Sequence, residues 1–149
     1  MGSLNLPRSG RIYLDASALI YSIERHPIFG VLLDPLWEAV VNGGVELITC
    51  ELTMLECLVA PLRARDQRSL EVFEKAFDES GLQLLPVNRA VFRLAAELRA
   101  THSSLRTPDA VHLAAAEIYA AQWIVTNDRA MSGKAAVPTI VLSDFVTSP

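Results

Sequence analysis

Short apolar runs and longer mixed segments alternate along the chain, and the spacing of apolar positions changes with them. Arg11–Leu14 (RIYL), Glu46–Thr49 (ELIT), Leu82–Leu85 (LQLL) and Trp123–Thr126 (WIVT) have the length and side-chain character of strands, and Thr139–Val141 predicts a last one. The segments between them predict helices: Ala16–Ser22, Phe29–Asn42, Glu51–Arg65, Asp66–Ser80, Asn88–Thr101 and Thr107–Ala121. In Asn88–Thr101, for example, Val91, Leu94, Ala95 and Leu98 share one helical face. Gly43-Gly44 and Gly81 stop the helices before them, and Pro86 ends the third strand. Strands that alternate with helices predict an α/β fold, a central mostly parallel sheet flanked by helices. The expected organisation is one domain over residues 11–146, preceded by a tail over 1–10 in which Met1-Gly2-Ser3 looks like a cloning remnant.

Four acids occupy telling places on this scaffold. Asp15 directly follows the first strand, and Asp128 comes just after WIVT. Glu56 lies one to two turns into the helix after ELIT, and Asp109 is in the first turn of TPDAVHLAAA. In a doubly wound sheet, the carboxyl ends of strands and the starts of the following helices share one edge, where such folds bind ligands. Asp109 follows no strand, so its place at that edge is the least secured by this argument. Carboxylates held together repel, and hard divalent cations with oxygen ligands relieve the repulsion. Such ions can activate water and stabilise a leaving oxygen in phosphodiester hydrolysis.

Each acid also admits a structural reading. Asp15 suits an N-cap for the helix that begins at Ala16, and Asp128 suits a turn. Thr107 and Pro108 read as N-cap and N1, so Asp109 would serve the helix dipole. Thr53 and Glu56 fit the capping-box spacing. Yet Glu56 sits among Met54, Leu55, Cys57, Leu58 and Val59, where an unpaired carboxylate is costly.

Composition narrows the class. The net charge is −4, which speaks against a passive phosphate-coating module but not against a nuclease whose carboxylates are neutralised by cations. The cations are 11 Arg and only 2 Lys, the better fork for phosphate and carboxylate. Hydrophobic residues make up 51% of the chain, which suggests apolar surface kept for a partner or a second copy. Cys50 and Cys57 form no zinc or redox pattern and read as reduced packing thiols of a cytoplasmic protein. No secretory leader pattern opens the sequence, and no apolar run of about 18 residues predicts a membrane span.

The sequence resembles the PIN domain, and within it the toxin ribonucleases of VapBC toxin–antitoxin pairs. YLDASALIY is similar to the family's first motif, and LTMLECLVAPLR to its second, a helix carrying one Glu among aliphatics. TPDAVHLAAA is close to the third and most specific, Asp-Ala-x-His-Leu-Ala, and IVTNDRAM resembles the fourth, a strand ending in Thr-x-Asp. The resemblance spans about Arg11 to Phe145 and shows no departure at the four acids. It implies a PIN-like fold, endonucleolytic cleavage of RNA, and Mg2+ or Mn2+ as cofactor. It also implies Asp15, Glu56, Asp109 and Asp128 as metal-binding and catalytic residues, with Asp15 and Asp109 the principal ligands. A VapB-like antitoxin and a homodimer are further implications.

Other residues fall around this core. Ser17 and Thr126 neighbour the acids and are expected to orient a carboxylate or a metal-bound water, or simply to serve a helix start and a strand end. Arg106 and Arg129 stand beside two acids and are candidates for phosphate contact. Arg63, Arg65 and Arg68 read equally as a binding cluster or as solvated surface paired with Asp66. His112 reads as a packed, hydrogen-bonded histidine, and His26 and His102 carry no pattern. Two rival functions use the same residues. An aspartyl-phosphate hydrolase or receiver-like domain would also employ Asp15, but the hydrolase pattern wants a second Asp where Ser17 stands. A non-catalytic RNA- or protein-binding module would share the fold without needing all four acids.

Overall fold

The computed structural model describes Leu6 and residues 8–146. Most of the expected tail, including Met1-Gly2-Ser3, lies outside the described residues. Among the described residues, five strands, β1 (Gly10–Leu14), β2 (Val45–Cys50), β3 (Gln83–Leu85), β4 (Trp123–Thr126) and β5 (Thr139–Val141), alternate with six helices. The helices are α1 (Ala16–Ile23), α2 (Phe29–Val41), α3 (Glu51–Ala64), α4 (Gln67–Glu79), α5 (Arg89–Thr101) and α6 (Thr107–Ile118). All strand pairs are parallel, in the order β3-β2-β1-β4-β5.

A parallel sheet covered on both faces explains why its strands read as nearly continuous apolar runs. Alternate side chains of β1 separate the two cores. Tyr13, with Ile48 and Ile124, faces a cluster formed largely by α5 and α6, including Val91, Ala110, Leu113 and Ala114. Ile12 and Leu14, with Leu47 and Val125, face a second cluster with Leu19, Leu33, Leu36, Cys57 and Phe73 from α1 to α4. Both cysteines are buried free thiols. No helix among the described residues is long and apolar enough to cross a membrane.

The ends of the helices correct two expectations. The N-cap of α6 is Arg106, with no side-chain cap, and Thr107 is already helical; its hydroxyl accepts from Arg99 Nη1 at 2.9 Å. The N-cap of α3 is Cys50, so Thr53 and Glu56 form no capping box. Thr53 instead shares a buried hydrogen bond with Thr49, 2.6 Å between the hydroxyl oxygens. Asp66 caps α4 through Ser69 N–H at 3.1 Å and the Ser69 hydroxyl at 2.7 Å.

Strand order places the cleft. From β1 the chain builds outward through β2 to β3, then returns to lay β4 on the other side of β1. Connections leaving β1 and β4 therefore diverge, which opens a crevice at their carboxyl ends. Asp15 and Asp128 follow these two strands. Because α6 precedes β4 and must run antiparallel to it, its N-terminal turn, with Asp109, also lies at the carboxyl edge. The α3 helix starts at that edge from β2 and carries Glu56 in its second turn.

Candidate active site

Asp15 is both a cap and a cleft residue. Its backbone N–H still donates to Val125 O of β4 at 3.1 Å, while its C=O accepts the first bond of α1 from Leu19 at 3.2 Å. Its Oδ1 accepts from Ala18 N–H at 3.0 Å and from the Ser17 hydroxyl at 2.7 Å, and its Oδ2 accepts from the Thr126 hydroxyl. The side chain is thus fixed by α1 on one side and β4 on the other. Only 5% of the residue is exposed. Burial pushes its carboxyl up from the ordinary value, against the lowering by His112 and by its hydrogen bonds.

Asp128 joins Asp15 through the same hydroxyl, because its N–H donates to Thr126 Oγ1 at 3.0 Å. Its Oδ1 caps a short 3-10 turn by accepting from Ala130 N–H at 2.9 Å. Asp109 is 7% exposed and accepts from Arg106 Nε at 3.2 Å. The other arm of Arg106 lies 3.6 Å from Asp128 Oδ2, so one guanidinium spans two of the acids. These carboxylates hold the Arg106 proton more tightly than usual.

Glu56 meets His112, with 2.6 Å between Oε1 and Nε2. His112 is buried, and its Nδ1 lies 2.7 Å from the Tyr13 hydroxyl, which in turn donates to Cys50 Sγ at 3.1 Å. Burial favours the neutral ring, but the Cys50 thiol, Glu56 and Asp15 outweigh it and carry the histidine to about 10. Glu56 sits in an apolar stretch of sequence yet is neither unpaired nor deeply buried.

All four acids line one cleft of about 370 Å3, together with Ala16, Ser17, Tyr21, Arg106, His112 and Asn127. A larger cavity of about 480 Å3 lies beside Arg25, His26 and Trp37, but Asp34 is its one acidic residue. Chemistry, not size, selects the first. Arg129 does not line this cleft; it pairs with Asp144. Tyr21 and Asn127 line it without having been singled out from sequence. Asn127 Nδ2 donates to the Tyr21 hydroxyl at 3.3 Å, and its backbone N–H to Ser17 Oγ at 3.3 Å. Its place between Thr126 and Asp128 was the available signal.

The donor set is all oxygen apart from the buried imidazole, which suits a hard cation. Among the described residues, no group of three or more acid, histidine or cysteine side chains is arranged to hold a metal ion.

The PIN-domain family model matches residues 12–137. Solved structures share the fold at low identity. FitAcB from Neisseria gonorrhoeae superposes with a TM-score of 0.66 and 17% identity, over 89% of this chain and 98% of that one. VapBC2 from Rickettsia felis, bound to a DNA fragment from its promoter, gives 0.63 and 14% over 80% and 89%. A toxin–antitoxin complex from Klebsiella pneumoniae gives 0.64 and 14% over 88% and 97%. None of the curated proteins matches the sequence significantly.

Proposed function

This chain belongs to the PIN-domain family, and from that premise we propose that it is a metal-dependent endoribonuclease, the toxin of a VapBC-type pair. The carrying observation is the gathering of Asp15, Glu56, Asp109 and Asp128 in one cleft at the divergence of β1 and β4. Asp15 and Asp109 are the principal ligands of Mg2+ or Mn2+, and Asp128 and Glu56 complete the site directly or through water. When bound, the ion supplies the Lewis acidity that phosphodiester hydrolysis requires at neutral pH. Thr126 and Ser17 fix the orientation of Asp15 through their hydroxyls. Arg106, three-quarters exposed at the rim, contacts a phosphate of the RNA; Arg129 contacts a phosphate only if it leaves Asp144.

A VapB-like antitoxin, a homodimer and a cytoplasmic setting belong to the same proposal. Structural neighbours that are themselves toxin–antitoxin assemblies support the antitoxin. So does apolar surface on α3, where Leu55 is 59% and Leu62 58% exposed. Metal-dependent cleavage of RNA that fails in Asp15→Asn tests the enzymatic part. Size measurement of the purified chain, and its co-purification with the product of an adjacent small gene, test the partners.

A further inference from the structure

Glu56 differs from the other acids in how it is held. Asp15 and Asp128 are anchored by backbone N–H groups, and Asp109 lies almost buried in the first turn of α6. Among the described residues, the hydrogen bond of the Glu56 side chain is the one to His112, 2.6 Å long. A glutamate has three side-chain torsions and much freedom to lose. This one is 30% exposed, so packing does not fix it.

His112, by contrast, is immobilised. It is 3% exposed, its ring stands edge-on to Tyr13 with centroids 5.8 Å apart, and its Nδ1 lies 2.7 Å from the Tyr13 hydroxyl. Tyr13 is itself completely buried and reaches Cys50 Sγ at 3.1 Å. The contacts run from β2 through β1 and α6 to α3, and end on the carboxylate.

We infer that His112 is a positioning residue for Glu56: it fixes Oε1 and leaves Oε2 as the oxygen the cleft can use. The inference rests on the metal-dependent nuclease reading. A carboxylate oriented by a fixed neighbour gives up less freedom when it binds a cation or a water, and loss of such a neighbour commonly costs about 10–100-fold in metal affinity or activity.

Calorimetric titration with Mn2+ tests this on the full chain. His112→Met keeps the bulk and removes the donor, and is expected to weaken Mn2+ binding about 10–100-fold. His112→Gln restores an N–H donor near the place of Nε2 and is expected to recover much of that loss. In a Glu56→Ala background, His112→Met should have no further effect, because the two residues act as one unit. Equal affinity in wild type and His112→Met overturns the inference, as does an undiminished loss in the Glu56→Ala background. If His112→Met does not fold, Tyr13→Phe carries the test with a smaller loss in the same direction, and unchanged affinity there overturns it. Wild type that takes up no Mn2+ removes the metal reading and this inference with it. Imidazole proton NMR separates the two failures without metal: the Nε2–H signal should move in Glu56→Ala, and a stationary signal overturns the Glu56–His112 pairing itself.

Discussion

Thr126→Val probes the joint between β4 and the acid cleft. The Thr126 hydroxyl is completely buried, donates to Asp15 Oδ2 and accepts from Asp128 N–H at 3.0 Å. Valine fills the same space, so no cavity forms and the loss is polar. A hydrogen bond to a charged group contributes about 1.5–3 kcal/mol. The freed Asp128 N–H lies in the half-exposed rim, where water replaces the lost acceptor. For a chain of this length, that corresponds to a fall in melting temperature of roughly 3–12 °C. The hydroxyl also lowers the Asp15 carboxyl toward its ordinary value, so its removal pushes that group further up. The destabilisation should therefore shrink as pH falls and Asp15 takes up a proton. The assay is thermal unfolding in EDTA from about pH 3.5 to 8, a range that includes the ordinary carboxyl values, with Thr126→Ser as a control that keeps the hydroxyl. A melting temperature unchanged in Thr126→Val, or equally lowered in Thr126→Ser, would refute the assignment of the hydroxyl to Asp15.

Asp15→Asn should raise the melting temperature in EDTA at neutral pH. Burial raises the folded-state carboxyl, so the charged form opposes folding above that value, and the gain should vanish as pH falls toward the ordinary 3.8; a variant that unfolds instead would make Asp15 a structural cap. His112 has the opposite sign. Its stabilisation, complete below its ordinary 6.5, should fade as pH rises toward about 10; His112→Gln should flatten that slope in denaturant titrations, and an unaltered slope would contradict the assignment. Arg106→Ala should raise KM for RNA about two- to fivefold, the equivalent of one exposed ion pair, and make binding less salt-dependent; unchanged KM and salt slope would remove Arg106 from the phosphate path.

Much of the fold was legible because its strands carry strong local signals. Trp123–Thr126 and Thr139–Val141 have the same bounds in sequence and structure. The end of α6 was not. The alanine-rich run favours helix through Ala121, but the helix stops at Ile118. Ala120 adopts a positive φ of 56°, and Ala121 N–H turns back to Ala116 O at 2.8 Å so that Gln122 can pair with Arg11. That is a tertiary demand with no glycine to announce it. Thr107 misled for a related reason: its hydroxyl is taken by Arg99 from α5, a competition invisible in the local sequence.

The site was legible as four acids, but not in how they are held. Asp109 reaches the cleft because a helix preceding a parallel strand begins at that strand's carboxyl edge, a rule of topology and not of motif. The Tyr13–His112 contact joins residues 99 positions apart, beyond any periodicity. Hence the sequence places His112 in the core, as the structure does, and gives no sign that it also reaches Glu56.

The most direct test of the nuclease reading is incubation of total RNA with the purified chain and Mn2+, beside EDTA and beside Asp15→Asn purified identically. Discrete fragments that require both the metal and Asp15 are expected. Fragments that persist in EDTA or in Asp15→Asn would contradict the carboxylate mechanism, and intact RNA with Mn2+ bound would instead favour a binding module built on this fold.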